Sequence, residues 1–207
     1  MTAESVLIDT IDGVMLEAEL RVPETRWAAV AIAHPHPQYG GDMHNNVVDA
    51  IYRALPAAGI AALRFNFRGV GRSDGVHDGG DAERLDLAAA IDLAAQFAEN
   101  GPLVAVGYSF GALVALGVTD VRLSGWCVVA PPLAMAATTP IAATDHRPKR
   151  LLCAEHDQFT ASDAAADLVQ DWSSTTIVTI PQADHFIRGQ TSFVADECVA
   201  FVQSLKG

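Results

Sequence analysis

The stretch LVAVGYSFGALVALGV, residues 103–118, passes from an apolar run into helix-forming residues through the turn Gly107-Tyr108-Ser109-Phe110-Gly111. This is a G-x-S-x-G pattern in the context of a strand, a turn and a helix. A turn this sharp forces Ser109 into a strained backbone conformation, and the positions two before and two after it must be small to avoid a collision. Gly107 and Gly111 meet that requirement. We interpret Ser109 as a nucleophile; the alternative is a glycine-rich turn with an incidental serine.

The rest of the chain alternates short apolar runs with longer helical segments. The apolar runs predict strands that are buried on both faces: residues 28–33, 60–65, 103–106, 126–130, 151–154 and 177–180. Helices are predicted around 45–58, 87–98, 110–118 and 194–205, the second of them capped by Asp81. This alternation indicates a parallel sheet with helices on both faces.

The first residues of the chain have a different pattern. Val6–Thr10 and Met15–Val22 flank the turn signal Asp12-Gly13 and predict an antiparallel hairpin at the sheet edge. The predicted fold class is therefore α/β: a doubly wound, mostly parallel sheet of about eight strands. A chain of 207 residues is expected to form one domain, 1–207. Residues 131–148 are too few for a packed helical cap, so no cap domain is expected.

Composition excludes several classes of partner. A formal net charge of −12 repels phosphate backbones and anionic lipids, so neither nucleic acid nor a membrane is an expected partner. Residues 125–144 carry no charge, but their prolines would break a membrane-spanning helix. The widely spaced Cys127, Cys153 and Cys198 suggest buried free thiols, and residues 1–13 lack the regions of a secretory signal. We expect a cytoplasmic protein.

A serine hydroxyl needs a base to remove its proton. Of the seven histidines, only His185 follows the last predicted strand, which is where the chain order of G-x-S-x-G proteins places the base. The acid that orients this base should follow the preceding strand, and Asp157 lies there. Glu155 and Asp163 are nearby alternatives, and Asp184 is interpreted as a solvated neighbour.

An oxyanion hole requires two backbone N–H donors, one from Phe110 and one from the loop after residues 28–33. That loop reads HPHPQYGG, residues 34–41. Its prolines have no N–H, so His36, Gln38 and Tyr39 are the candidates. We favour His36.

Two other motifs suggest ligands but lack the features that such sites need. His34 and His36 have no third ligand at a suitable spacing, so no metal site is predicted. The glycine-rich residues 68–75 do not open directly into a helix, so a structural loop is favoured over a nucleotide site. Arg68 and Arg72 could contact a substrate carboxylate, although pairing with a local aspartate is the commoner case.

Together these residues resemble the α/β-hydrolases, in particular small lidless bacterial hydrolases related to dienelactone hydrolases and to the catalytic domains of prolyl-oligopeptidase-like peptidases. The similarity covers essentially the whole chain and rests on five segments: residues 34–41, 67–73 and 107–111, and the loops with Asp157 and His185. In two positions the chain departs from the pattern. Ser109 stands where dienelactone hydrolases have cysteine, which argues against their lactone substrate. Pro35 replaces a glycine of many relatives, which leaves the second oxyanion donor open among residues 36–39.

The resemblance implies acyl transfer through an acyl-enzyme: Ser109 attacks a carbonyl, His185 moves the proton, and water releases the acid. It implies no cofactor. A small ester is the expected substrate, bound in a shallow pocket beside four aromatic side chains: Tyr39, Tyr108, Phe159 and Phe186. A thioesterase, a peptidase or amidase, and a non-catalytic binding protein on the same scaffold remain open, and the oligomeric state is not predicted.

Overall fold

One sheet organises the protein, in a computed structural model that describes residues 2–206. Its eight strands lie in the order β1-β2-β4-β3-β5-β6-β7-β8. Their bounds are β1 Glu4–Asp9, β2 Met15–Arg21, β3 Ala28–Ala33, β4 Ile60–Phe65, β5 Leu103–Tyr108, β6 Gly125–Val129, β7 Lys149–Ala154 and β8 Thr175–Ile180. From β3 onwards neighbours are parallel, whereas β2 is antiparallel to β1 and β4. The predicted fold class is confirmed.

The burial of most strands follows their sequence pattern. The exception is β8: residues 177–180 were predicted to be buried on both faces, but only Ile180 is buried, because β8 lies at the edge of the sheet. In β2, Leu16, Ala18 and Leu20 are buried and the residues between them face outwards, as expected for an edge hairpin with one wet face. Gly13 closes the hairpin turn at a φ of +80°. Every residue of β3, β4, β5 and β6 is buried, because helices cover both faces there.

Five helices form the outer layers: α1 Asn46–Ala54, α2 Glu83–Ala98, α3 Phe110–Leu116, α4 Ser162–Leu168 and α5 Thr191–Ser204. The apolar sides of α1 and α5 pack on one face of the sheet, and those of α2, α3 and α4 on the other. No helix among residues 2–206 is long and apolar enough to cross a membrane.

Two local predictions were wrong. The helix predicted over 45–58 ends at Ala54 and continues as a 3-10 turn, Leu55–Ala58, because Pro56 has no N–H for the next helical hydrogen bond. Asp81 does not cap α2. The carboxylate of Asp78 accepts the N–H groups of Gly80 and Ala82 instead, since the chain bends back through two glycines of positive φ, Gly79 and Gly80.

The connection between β6 and β7 is the usual place for a cap in folds of this kind. Here it contains only two single-turn 3-10 segments, Leu133–Met135 and Ile141–Thr144. Neither is long enough to bury surface of its own. The prediction that no cap domain is inserted here is confirmed.

Candidate active site

Ser109 lies at the carboxyl end of β5 in a backbone conformation that few non-glycine residues adopt, with φ +55° and ψ −117°. Close packing enforces this turn. A Cβ on Gly107 would lie 2.1 Å from the Gly111 carbonyl oxygen, and one on Gly111 would lie 2.5 Å from that of Ala33. The start of α3 is therefore pressed against the end of β3. This contact brings the β3 loop, residues 34–41, next to Ser109.

A chain of hydrogen bonds joins Ser109 to the loops that follow β8 and β7. Ser109 Oγ lies 2.8 Å from His185 Nε2, and His185 Nδ1 lies 2.8 Å from Asp157 Oδ2. The other oxygen of Asp157 accepts the backbone N–H groups of Phe159 and Thr160. A carboxylate at Nδ1 favours the imidazole tautomer with its proton on Nδ1, which leaves Nε2 as the ring nitrogen that faces Ser109 Oγ.

The other acidic residues considered for this position have different partners. Glu155 accepts the N–H of Gln182, and Asp184 accepts that of Phe186. Asp163 is exposed in the first turn of α4. In the described part of the chain, Asp157 is the acidic residue that bonds the His185 ring.

Tyr108 differs from its predicted place in an open pocket. The side chain is buried, and its hydroxyl donates to the backbone carbonyl of His185 at 2.8 Å. Burial raises the pKa of Tyr108, so the phenol stays protonated and remains a donor. Tyr108 therefore stabilises the loop that contains His185.

The β3 loop narrows the choice of a second oxyanion donor. The N–H of Gln38 donates to His36 Nδ1, and that of Tyr39 donates to the His36 carbonyl oxygen. The N–H groups of His36 and Phe110 make no hydrogen bond to an acceptor within residues 2–206. Of the candidate donors, these two N–H groups are thus the ones without a partner among residues 2–206.

His34 stabilises this loop from inside the protein. Its fully buried ring accepts the Phe67 N–H at Nε2, 3.0 Å away, and donates from Nδ1 to the Pro35 carbonyl oxygen at 2.6 Å. Burial lowers the pKa of His34 to about 4, so the ring is neutral near pH 7. Because both nitrogens have protein partners, neither is available to a metal in this arrangement.

We expect His34 to make the protein acid-sensitive. The unfolded chain binds a proton at this residue below about pH 6.5, whereas the folded chain does not until about pH 4. Stability should therefore fall as the pH drops through this window, by about 3 kcal/mol from this group alone. Urea unfolding at several pH values should show a shallower dependence for His34→Gln, which keeps an acceptor for Phe67. The same pH dependence of the unfolding free energy in wild type and His34→Gln would contradict the assignment of this acid sensitivity to His34.

The predicted pocket residues other than Tyr108 are exposed aromatic side chains around Ser109. The Phe159 and Phe186 rings lie 4.6 and 6.0 Å from the His185 ring, measured between centroids. Tyr39 lies on the other side, 4.9 Å from the His36 ring. Exposed aromatic side chains therefore surround the entrance to the site.

The loop after β4 is anchored by a buried ion pair. Arg68 bonds Asp86, which is fully buried, and Asp12 in the hairpin turn. The side chain thus pairs with local aspartates, as the sequence favoured. Arg72 is exposed, and its backbone N–H donates to Glu17.

One pair of side chains near Ser109, His77 and Glu83, was not predicted from the sequence. His77 Nδ1 lies 2.6 Å from the buried carboxylate of Glu83, and its ring packs against those of His36 and Phe110. His77 lies in an irregular loop without periodicity. Glu83 lies in the first turn of α2, where acidic residues ordinarily face solvent, so no pattern distinguishes it.

The order of the strands, the helices on both faces and the serine at the turn after β5 define an α/β-hydrolase, as the sequence resemblance implied. Within this class, residues 12–188 match the family described as X-Pro dipeptidyl-peptidase, S15 family. The match spans most of the chain, and the chain belongs to this family.

Individual relatives agree with this assignment. An α/β serine hydrolase homologue from Coxiella burnetii has a similar structure, with a TM-score of 0.86 and 30% identity, covering 97% of this chain and 98% of that one. An α/β serine hydrolase without a lid from Xanthomonas campestris gives 0.87 and 26%, covering 100% and 96%. An uncharacterised protein of Rickettsia prowazekii is 33% identical over 177 residues, covering 77% of this chain and 72% of that protein. The solved relatives support a hydrolase function.

Proposed function

We propose that the protein is a serine hydrolase that cleaves small esters through an acyl-enzyme on Ser109. The observation that carries the proposal is the continuous set of contacts from Ser109 Oγ through His185 to the buried Asp157, each 2.8 Å long. A buried carboxylate that fixes an imidazole against a strained serine is the arrangement that acyl transfer needs. Because no cap domain covers the site, it offers little enclosed surface for a large substrate, and small substrates are proposed.

In the proposed reaction, His185 removes the Ser109 proton as Oγ attacks the substrate carbonyl. The oxyanion that forms is bound by the N–H groups of Phe110 and His36. His185 then donates the proton to the leaving alcohol, and Ser109 keeps the acyl group. Water, deprotonated by His185, attacks this acyl-enzyme and releases the acid. These steps need no cofactor, and the three buried free thiols of the chain are compatible with the cytoplasm as the site of the reaction.

The experiment is a comparison of wild type with a nucleophile variant. A fluorophosphonate probe should label the native protein at Ser109, and 4-nitrophenyl acetate should be hydrolysed with a burst equal to the labelled fraction. Absence of both in folded protein would favour a non-catalytic binding protein on this scaffold.

The proposed oxyanion donor predicts a difference between two substitutions of His36. Residue 36 has a φ of −55°, which proline also adopts, so His36→Pro removes the N–H without straining this residue. His36→Ala removes the same side-chain contacts but keeps the N–H. We expect kcat of the proline variant to be about 10²- to 10³-fold below that of the alanine variant. Equal losses of kcat in the two variants would show that the imidazole of His36, and not its backbone N–H, contributes to activity.

A peptidase is the second candidate, because the chain belongs to a family described as X-Pro dipeptidyl-peptidase. The same acyl-enzyme would form from a peptide bond, with an amine as the leaving group. Kinetics on an alanyl-prolyl 4-nitroanilide, a short-chain nitrophenyl ester and the matching thioester separate the possibilities. A higher kcat/KM for the anilide would reject the ester proposal, and one for the thioester would indicate a thioesterase.

A further inference from the structure

A cleft of about 530 Å³ separates two glycine-rich loops, residues 37–42 after β3 and residues 69–77 after β4. In the sheet, β4 and β3 lie on one side of β5, and β7 and β8 lie on the other. Ser109 is at the end of β5. The loops that form the cleft and the loops with Asp157 and His185 therefore follow strands on opposite sides of β5.

The wall of this cleft combines exposed backbone with polar and apolar side chains. Five glycines expose backbone there, and the polar side chains are those of Gln38, Asp42 and His77. The only apolar side chains in the wall are Pro37, Val70 and Val76.

His77 is the most constrained polar group of the cleft. Its side chain is only 11% exposed, and Nδ1 contacts Glu83, whose carboxylate also accepts the N–H groups of Asp78 and Gly80. The pair has the form of His185 and Asp157: a buried carboxylate holds Nδ1, and Nε2 is the nitrogen left for another partner. The structure places no serine at this second nitrogen within residues 2–206.

The proton transfer from His185 indicates on which side of Ser109 the leaving group lies. In the proposed function, on which this step rests, His185 gives its proton to the leaving group, so the leaving group lies on the β7 and β8 side. Of the two remaining substituents of the carbonyl carbon, the oxyanion points to the N–H groups of His36 and Phe110. The acyl group is assigned to the side of β3 and β4, where the cleft offers space. Phe159 and Phe186, which contact His185, accordingly belong to the leaving-group side.

We propose that the cleft between residues 37–42 and 69–77 is the acyl subsite, and that His77 Nε2 binds an uncharged polar substituent, such as a hydroxyl, on the acyl group. A hydroxyl can donate to His77 or Asp42 and accept from the Gln38 amide. The Asp42 carboxylate and the net charge of −12 disfavour an anionic acyl group. His77 is thus a specificity-determining residue.

The first test compares 4-nitrophenyl esters of butyrate and 3-hydroxybutyrate. We expect wild type to prefer the hydroxylated ester by about tenfold in kcat/KM. His77→Asn keeps a donor near Glu83 but lacks the outer nitrogen, so the preference should disappear, while His77→Gln, which reaches the outer position, should restore part of it. Equal rates in wild type, or an unchanged preference in His77→Asn, would overturn the subsite and leave the proposed function intact. If wild type hydrolysed neither ester and was not labelled by the fluorophosphonate probe, both the acyl subsite and the proposed function would be overturned.

The second test fills the cleft from its mouth. Val76 lines the cleft and is 79% exposed, so Val76→Trp can be accommodated without disturbing the core. The matched control is Val121→Trp, at a valine that is 98% exposed and lines no part of the cleft. We expect Val76→Trp to lower kcat/KM for both four-carbon esters about tenfold relative to the acetyl ester, and the control to keep the wild-type ratio. An equal loss for the acetyl ester, which would leave the ratio of kcat/KM unchanged, would overturn the assignment.

Discussion

Replacing Ser109 with alanine is expected to lower kcat for ester hydrolysis by about 10⁶-fold, because no acyl-enzyme can form without the hydroxyl oxygen. The fold should persist. Alanine is no less able than serine to adopt the φ of +55° at this position, and the backbone hydrogen bond from residue 109 to the Val129 carbonyl does not depend on the side chain. Stopped-flow measurements of the burst and of steady-state turnover would determine the loss.

Ser192 provides the matched control, since it is an exposed serine near the start of α5 and makes no hydrogen bond to His185. Ser192→Ala should retain wild-type activity and fluorophosphonate labelling. If Ser109→Ala kept more than about one per cent of kcat while remaining folded, a different nucleophile would have to carry the reaction.

The sequence predicted the sheet because most of its strands are continuous apolar runs that only a sheet covered on both faces can bury. It also predicted which loops meet, since the carboxyl ends of parallel strands lie at one edge of the sheet. Ser109, Asp157 and His185 each follow a different strand, so their proximity depends on the strand order alone.

The remaining features depend on contacts between residues that are distant in sequence or on the path of irregular loops. Tyr108 was predicted to line a pocket, but the alternation of side chains along β5 points it under the β8 loop instead. Asp81 is the acidic residue next to α2 in sequence, yet two glycines of positive φ return the earlier Asp78 to the helix start. No periodic pattern reports such a bend. The pairing of His77 with Glu83 depends on the same bend.

The supports around the site are nearly all made of buried, neutral or paired polar groups. His34 fixes the β3 loop, Arg68 and Asp86 fix the β4 loop, and Tyr108 fixes the β8 loop. Each makes its hydrogen bonds to backbone or to a partner of opposite charge, so the desolvation cost of burial is offset. The strained Ser109 can persist because these neighbours leave the turn no alternative conformation.

Asp157→Asn should lower kcat by about 10⁴-fold, through the tautomer of His185. One oxygen of Asp157 accepts the N–H groups of Phe159 and Thr160, so the asparagine oxygen should remain there and its NH₂ should face His185 Nδ1. Two donors cannot bond, and the ring proton moves to Nε2. The nitrogen opposite Ser109 Oγ then carries a proton and can no longer act as a base.

The controls for this tautomer argument are Asp184→Asn and Glu155→Gln, the same chemical change at the two neighbouring carboxylates. Glu155 accepts one backbone N–H from the loop after β8, and Asp184 accepts one from its own loop. An amide oxygen can accept the same N–H, so both variants should stay within about threefold of wild type. Nitrogen-15 NMR of the imidazole ring would show the proton on Nδ1 in wild type and on Nε2 in Asp157→Asn. An active Asp157→Asn beside an inactive Glu155→Gln would transfer the role of the acid to Glu155. If kcat fell while the ring proton stayed on Nδ1, Asp157 would act by its charge, which stabilises the imidazolium that forms as Ser109 attacks.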